Sequence, residues 1–285
     1  MDAVSIAGLC KQYERFSLKD VSFCVAEGSI TGFIGRNGAG KTTTLKSILH
    51  FVHPNAGEVC FFGRPFAENE LACKKMIGYV PGAFEFYPQK KLRVITSVTR
   101  RFYPAWDEGV YRRCCGLFAL DEEKRPKELS TGMKVKYALA LALSHGAKLL
   151  ILDEPTSGLD PVSRAELLDI FLQLVKDGKH SILFSTHITS DLQKCADHIV
   201  YIRDGAIAAD TSTGELLARY ELVQLTAAQR AAAPEGLLIG CREDRTGYTA
   251  LVPAGSAPEG TLVRRADLDS IMVHLEHREG VDLFA

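Results

Sequence analysis

The stretch Gly35–Thr42 has the residue types and the spacing that hold phosphate groups. It reads Gly-Arg-Asn-Gly-Ala-Gly-Lys-Thr, which fits the pattern G-x-x-x-x-G-K-[S/T]. The glycines let successive backbone N–H groups turn towards an anion. Lys41 can bridge the β- and γ-phosphates of a nucleotide, and the Thr42 hydroxyl can bind Mg²⁺. Thr43 is placed to donate to the α-phosphate. The sequence therefore predicts a site for ATP and Mg²⁺.

An ordinary glycine turn is the alternative to a phosphate loop, and the flanking elements argue against it. The apolar run Ser29–Ile34 predicts a strand before the loop, and Thr42–His50 predicts a helix after it. A helix that begins near Lys41 directs the positive end of its dipole towards a bound phosphate. This order of strand, loop and helix is the context that the motif requires.

Two acidic residues follow a second apolar run. Leu149–Leu152 is continuously apolar, as expected of a strand buried on both faces of a parallel sheet. Asp153 and Glu154 come directly after it, and open α/β sheets bind ligands at the carboxyl ends of their strands. We therefore expect Asp153 to bind Mg²⁺ through water and Glu154 to act as the general base for the attacking water. A pair of solvated acids at a strand end is the alternative.

Three further segments complete an ordered set of motifs. They are Leu129–Met133, which reads Leu-Ser-Thr-Gly-Met, Pro155–Asp160, and His187 at the end of the apolar run Ser181–Thr186. Together with the phosphate loop and the acidic pair, these segments resemble the motifs of the ATP-binding cassette (ABC) transporter ATPases over roughly Val4–Leu217. The resemblance implies an α/β fold with a RecA-like P-loop NTPase core of the ABC ATPase type and an inserted α-helical subdomain.

The resemblance also implies a catalytic site that is shared between two subunits. The implied catalytic residues are Lys41, Glu154 and His187, and His187 would sense the γ-phosphate. Tyr13 would stack on the adenine ring of ATP, with Phe16 as the alternative for this role. The other implied ATP-binding residues are Gly35, Asn37, Gly38, Ala39, Gly40, Lys41, Thr42 and Thr43. The signature residues Ser130, Thr131, Gly132 and Met133 would face the γ-phosphate of ATP held by the other subunit. Asp160 would lie at the dimer interface, and it is also a predicted helix N-cap before Pro161. The implied Mg²⁺ ligands are Thr42 and Asp153.

Two sites depart from the usual pattern of the family. Thr131 and Met133 stand where Gly and Gln are usual, and this variant resembles the signatures of bacterial exporters. After Ile77–Pro81 the family usually has a Gln that reaches Mg²⁺ and the attacking water, whereas this chain has Gly82. We expect metal contact on this side to pass to water or to Glu85, which would leave hydrolysis modest.

The sequence divides into two predicted domains. Residues 1–220 would form the ABC nucleotide-binding domain, with its helical subdomain at about residues 84–148, and residues 221–285 a small C-terminal α+β accessory domain. In the second part, Ala227–Gly236 predicts a linker, Leu237–Cys241 and Tyr248–Val252 a β-hairpin, and Leu268–Leu275 an amphipathic helix. Structural capping or a dimer contact is the expected role of this part, and regulation is the alternative.

Composition limits the class of protein. The net charge is −1 and there is no basic tail, which argues against a nucleic-acid partner. No apolar run reaches the length of a transmembrane helix, and the N-terminus lacks a signal-peptide pattern. The eight cysteines are scattered and indicate reduced thiols, without disulfides or a metal site.

These observations predict the ATP-hydrolysing subunit of a membrane transporter, of the exporter type. The expected partners are a multi-span membrane permease and a second ABC ATPase, in a homodimer or a heterodimer, at the cytoplasmic face of the membrane. The aromatic loop Phe84–Pro88 would either contact the permease or pack inward. The alternative function is a soluble ABC-type ATP switch that regulates a partner protein without transport.

Overall fold

The computed structural model of the chain describes residues 1–82 and 87–277. Within these residues the strands are β1 (Asp2–Gln12), β2 (Ser17–Ala26), β3 (Ile30–Ile34), β4 (Ala56–Phe61), β5 (Arg64–Pro65), β6 (Ile77–Val80), β7 (Leu149–Asp153), β8 (Ser181–Thr186), β9 (His198–Arg203), β10 (Ala206–Ser212), β11 (Tyr220–Leu225), β12 (Ile239–Asp244), β13 (Gly247–Pro253) and β14 (Leu262–Arg265). The helices are α1 (Lys41–Ile48), α2 (Phe66–Lys74), α3 (Leu92–Thr99), α4 (Glu108–Leu117), α5 (Thr131–Ser144), α6 (Pro161–Val175), α7 (Thr189–Cys195), α8 (Thr213–Ala218), α9 (Ala227–Ala232) and α10 (Leu268–Leu275).

These elements form two compact units. Of the described residues, the first unit comprises 1–82, 87–188 and 195–210, and the second comprises 189–194 and 211–277. The division therefore lies at Asp210, whereas the sequence places the domain boundary at Tyr220. The second unit also takes up most of α7, an element that the sequence assigns to the nucleotide-binding domain.

The core of the first unit lies between two sheets. An antiparallel sheet has the strand order β2-β1-β4-β5, and a larger sheet has the order β10-β9-β3-β8-β7-β6. In the larger sheet, β9, β3, β8, β7 and β6 run parallel. Phe33, Leu149 and Leu183 of the larger sheet and Val4 and Phe23 of the smaller one belong to one buried cluster. The predicted α/β architecture is confirmed, and it brings the carboxyl ends of β3, β7 and β8 to one edge.

Helices α3, α4 and α5 lie between β6 and β7 in the chain, where the sequence predicts a helical subdomain. Their buried centre is polar. The Thr96 hydroxyl lies 2.8 Å from the Tyr111 hydroxyl and 3.0 Å from the Tyr137 hydroxyl, and Tyr137 donates to the Leu92 carbonyl at 3.2 Å. Burial raises the pKa of both tyrosines. Because buried hydroxyls need hydrogen-bond partners, this network fixes the three helices against one another.

The second unit contains an antiparallel sheet in the order β12-β13-β11-β14. The predicted hairpin corresponds to β12 and β13, and the predicted C-terminal helix is α10, so both are confirmed. Two hydrogen bonds tie the start of α10 to α7: Thr189 Oγ1 donates to Asp269 Oδ1 at 3.1 Å, and the Leu268 amide donates to Gln193 Oε1 at 2.9 Å.

The predicted linker at Ala227–Gly236 is wrong, because its first six residues form α9. The Thr226 amide donates to Gln229 Oε1 at 2.9 Å, and the Gln229 amide donates to Thr226 Oγ1 at 3.2 Å. This reciprocal capping box satisfies two amides at the start of the helix, and the alanines that follow favour helix. The low complexity of the segment therefore reflects helix propensity.

No helix within residues 1–82 and 87–277 has the length and apolar character needed to cross a bilayer.

Candidate functional site

A cavity of about 620 Å³ opens at the edge of the sheet where β3, β7 and β8 end. Its volume is in the range of small-molecule sites. The phosphate loop and the residues after β7 and β8 contribute to its walls. The lining residues are Arg15, Phe16, Asn37, Gly38, Gly40, Lys41, Thr42, Thr43, Glu154, Ser157 and His187. The fold therefore brings the predicted loop, base and histidine into one cavity.

Helix α1 begins at this cavity because Gly40 allows the loop to turn into it. Gly40 is the N-cap residue with φ 117°, a conformation that residues with a side chain rarely adopt. A Cβ there would also lie 2.8 Å from side-chain atoms of Leu18 and Phe16. The first amides of α1 and the positive end of its dipole therefore face the cavity, which favours a bound anion.

The Lys41 ammonium lies at the centre of the site. Its Nζ donates to the Gly35 carbonyl at 2.8 Å and lies 3.2 Å from Glu154 Oε1. The other carboxylate oxygen of Glu154 lies 2.8 Å from His187 Nδ1. Lys41 is 6% exposed, so its charge is held in place by the loop. The predicted catalytic residues Lys41, Glu154 and His187 are thus joined in one chain of contacts.

Asp153 is held by two hydroxyl groups. Its Oδ1 lies 3.2 Å from Thr42 Oγ1 and 2.6 Å from Ser185 Oγ. The predicted Mg²⁺ ligands Thr42 and Asp153 are therefore adjacent, although 110 residues of chain separate them. Both supply oxygen atoms, the ligand type that Mg²⁺ prefers, so the residues present fit this ion.

Sequence reasoning missed Ser185. It pairs with Asp153 in the register of β7 and β8, and it is fully buried. The Glu154 amide donates to both the carbonyl oxygen and the hydroxyl of Ser185, at 3.0 Å and 3.1 Å. The local sequence pattern carries no signal for this pairing, because it depends on the register of β8 against β7.

Phe16 and Arg15, rather than Tyr13, line the cavity. Tyr13 follows β1, is 42% exposed, and has Lys11 Nζ 5.6 Å from its ring centroid. The stacking of Tyr13 on adenine stays a prediction, and the structure gives its alternative, Phe16, the position on the cavity wall. Arg15 is a cavity residue that the sequence did not indicate.

The signature residues and Asp160 lie at the starts of two helices. Ser130 is the N-cap of α5 and accepts a hydrogen bond from the Met133 amide at 3.2 Å, so Thr131, Gly132 and Met133 form the first turn. Asp160 is the N-cap of α6 and accepts from the Val162 and Ser163 amides at 3.0 Å. Hydrogen bonds from Ser163 lower the pKa of Asp160. The capping role predicted for Asp160 is confirmed, and its interface role stays a prediction.

Gly82 lies against the end of β7. A Cβ on this residue would be 2.9 Å from the Asp153 carbonyl oxygen and 3.8 Å from Glu154 Cβ. The absence of a side chain therefore allows the backbone after β6 to approach the acidic pair closely. Glu85, the proposed substitute for the usual Gln, and Phe84 of the aromatic loop both lie outside the described residues.

Comparison with known proteins gives a consistent result. Residues 18–157 match the family described as ABC transporter. The chain is 29% identical to the ABC transporter ATP-binding protein YtrB of Bacillus subtilis, over 87% of this chain and 85% of YtrB. It is 32% identical to the bacitracin transport ATP-binding protein BcrA of Bacillus licheniformis, over 72% of this chain and 68% of BcrA. It is 33% identical to the Nod factor export ATP-binding protein I of Burkholderia orbicola, over 73% of this chain and 70% of that protein.

A solved structure described as the ATP-binding subunit of an ABC transporter is similar in fold. It superposes with a TM-score of 0.68 at 28% sequence identity, and the match covers 75% of this chain and 91% of the solved one.

Proposed function

Because this chain belongs to the ATP-binding subunits of ABC transporters, we propose that it drives export through a separate permease by closing with a second ATP-binding subunit around ATP and Mg²⁺. The observation that carries this proposal is the contact chain Lys41–Glu154–His187 beside the phosphate loop. Binding and hydrolysis of ATP are the activity of the family. The residue roles, the metal and the partners are our proposal.

The three contacting side chains suit the steps of hydrolysis. Incoming phosphate oxygens compete with Glu154 for the Lys41 ammonium, and this competition frees one carboxylate oxygen to accept a proton from water. His187 keeps its contact with the other oxygen and so orients the carboxylate. The loop amides and Lys41 surround the β- and γ-phosphates, where negative charge develops as the bond breaks.

Thr42 and Asp153 would hold Mg²⁺, Thr42 through its hydroxyl and Asp153 through water. The bound ion would neutralise part of the phosphate charge. The fit rests on the 3.2 Å separation of the two oxygens and on their chemistry. Both residues are fixed independently of the ion, Thr42 by the first turn of α1 and Asp153 by Ser185.

A second subunit would complete the site through the start of α5. Helix α5 has 14 residues, so the dipole at its N-terminus is fully developed. Ser130 supplies a hydroxyl and Gly132 permits close approach of the backbone to a γ-phosphate held by the other subunit. Asp160, at the start of α6, would lie near the same interface. This arrangement serves a homodimer and a heterodimer equally.

The permease would contact an apolar groove on the first unit. This groove has a volume of about 450 Å³ and is lined mainly by apolar and aromatic side chains, among them Phe51, Tyr79, Tyr103 and His145. Phe51 is 55% exposed and packs edge-on against Tyr79, with ring centroids 5.3 Å apart. Burial and the nearby Asp153 carboxylate raise the pKa of Tyr79 to about 12. Exposed aromatic residues of this kind anchor protein interfaces. Tyr79 lines the groove and also lies near the Asp153 carboxylate, so it joins the groove to the acidic pair.

Export, rather than another transport direction, is supported by the relatives named for bacitracin transport and Nod factor export and by the Ser-Thr-Gly-Met signature. The relatives favour transport over the soluble ATP switch, because their names describe transporter subunits.

The test is recovery of a membrane partner by the tagged Glu154→Gln variant, from detergent-solubilised membranes with ATP and Mg²⁺. Loss of the base should slow hydrolysis by about a hundredfold or more and hold the closed complex, so a multi-span membrane protein should be recovered with the tagged chain.

Two variants in the Glu154→Gln background serve as controls. Lys41→Ala removes the ammonium that binds phosphate and should abolish recovery. Phe51→Ala removes an exposed groove aromatic and should reduce recovery while ATP binding is retained. Recovery of soluble proteins alone, in the same amounts with and without Lys41, would contradict the transport proposal and favour the switch.

A further inference from the structure

Ser185 touches both acidic residues of the site through one side chain. A serine hydroxyl can donate one hydrogen bond and accept others. Here it donates to Asp153 Oδ1 at 2.6 Å and accepts from the Glu154 amide at 3.1 Å. Its carbonyl oxygen also accepts from the Glu154 amide, at 3.0 Å. Ser185 itself is 0% exposed, so water does not compete for these bonds.

The backbone of Glu154 needs such support. Its φ is 50°, in the left-handed region that residues with a side chain adopt rarely and with strain. The bonds from the Glu154 amide to Ser185 hold this turn. This backbone conformation directs the Glu154 carboxylate towards Lys41 Nζ, at 3.2 Å, and His187 Nδ1, at 2.8 Å.

We propose that Ser185 is a positioning residue for ATP hydrolysis, which sets the Asp153 carboxylate towards the metal and the Glu154 carboxylate towards the attacking water. This inference rests on the proposed function. Ser185 does not touch the nucleotide in this scheme. It acts because its hydroxyl occupies one lone pair of Asp153 Oδ1 and leaves the remaining lone pairs pointing towards Thr42 and the cavity.

The hydroxyl contributes beyond ordinary packing. Thr31 lies on β3, which pairs with β8 on the side opposite β7. It is also a buried hydroxyl residue, 1% exposed, and its Oγ1 has no hydrogen-bond partner among the described residues. Thr31→Val therefore removes a buried hydroxyl from the same sheet without removing a hydrogen bond, and it serves as the matched control for Ser185→Ala.

The experiment compares wild type, Ser185→Ala, Ser185→Thr and Thr31→Val in two assays. The first measures kcat and KM for ATP. The second measures binding of a fluorescent ATP analogue, first with Mg²⁺ chelated and then during a Mg²⁺ titration. Partners that orient a metal ligand typically change metal affinity or activity by about 10- to 100-fold. We expect Ser185→Ala to lower kcat by about tenfold or more and to raise the half-saturating Mg²⁺ concentration by about tenfold.

Binding of the analogue without Mg²⁺ should stay within about twofold of wild type in every variant, since the phosphate loop is unchanged. Ser185→Thr keeps the hydroxyl and should restore most of the loss. Thr31→Val should behave as wild type. Melting temperatures identify a misfolded variant, and if Ser185→Thr does not fold, Ser185→Ala alone decides.

The inference is overturned if Ser185→Ala, folded and binding the analogue, matches wild type in kcat and in Mg²⁺ dependence. It is also overturned if Thr31→Val shows the same losses, because the effect would then be general packing. A wild-type chain that fails to bind or hydrolyse ATP would instead refute the proposed function, so the two failures are distinguishable.

Discussion

Replacing Gly82 with alanine should displace the acidic end of β7. The added Cβ would lie 2.9 Å from the Asp153 carbonyl oxygen, 3.7 Å from the Asp153 carbonyl carbon and 3.8 Å from Glu154 Cβ. Ordinary van der Waals contact begins at 3.4 Å. The contacting atom is backbone at the end of a buried strand, so it cannot rotate away as a flexible side chain would. One of the two segments must therefore shift by about 0.5 Å, taking the difference between 3.4 Å and 2.9 Å.

The size of the effect follows from the position of that shift. A misplacement of about 1 Å in a catalytic arrangement can cost about a hundredfold in rate. If the loss in activation free energy scales with displacement, a shift of about 0.5 Å corresponds to about tenfold, or about 1.4 kcal/mol. We expect Gly82→Ala to lower kcat by about this factor. Binding of ATP with Mg²⁺ chelated should not change, because Gly82 is not among the residues that line the phosphate cavity.

Gly82→Gln separates the steric effect from the chemical one. It adds the same Cβ and also the amide that the family usually has at this position. A difference between the glutamine and alanine variants in kcat or in Mg²⁺ dependence therefore reports the amide alone. Gly116→Ala is the matched control, because a Cβ at Gly116, in α4, meets no atom within 4 Å. If both Gly82 variants matched Gly116→Ala in steady-state rate and Mg²⁺ titration, the close approach to Asp153 would have no bearing on catalysis and our reasoning would fail.

Two further predictions concern stability. Thr96→Val removes the hydroxyl that joins Tyr111 and Tyr137 in the helical region. It should lower the free energy of unfolding, measured by urea denaturation, by about 1–2 kcal/mol. An unchanged midpoint and slope of the denaturation curve would show that this network does not stabilise the fold. Burial lowers the pKa of His145 below its usual 6.5, so the folded state binds fewer protons than the unfolded state and His145 should reduce stability as the pH falls through about 6.5. The fall in melting temperature between about pH 7 and about pH 5.5 should be smaller in His145→Phe, which keeps a ring against Tyr103; an equal fall in both proteins would show that other groups cause it.

The nucleotide site could be predicted from the sequence because each of its motifs is a short stretch of consecutive residues. The glycine loop, the acidic pair after Leu149–Leu152 and the histidine after Ser181–Thr186 each follow an apolar run. A parallel sheet brings the ends of such runs to one edge. That rule places Lys41, Glu154 and His187 at one edge of the sheet, and the adjacency of β3, β8 and β7 brings them to one cavity.

Features that depend on register or on close approach were not readable. Ser185 acts on Asp153 because β7 and β8 align these two residues, and strand register is not written in the local pattern. The close approach of Gly82 to Asp153 likewise exists only in three dimensions. The helix at Ala227–Ala232 is a different case, since its alanines carry no amphipathic periodicity and its local signal is the capping box of Thr226 and Gln229.

The link between α7 and the start of α10 has a consequence for biosynthesis. Chains emerge from the ribosome N-terminus first, and Thr189 precedes its partner Asp269 by 80 residues. The strands and the phosphate loop of the first unit are thus all synthesised before α7 can find its partners. Helix α7 begins directly after Ile188, the residue that follows His187. A prematurely terminated chain would therefore contain every motif of the ATP site and still lack the hydrogen bonds of the segment that follows its histidine.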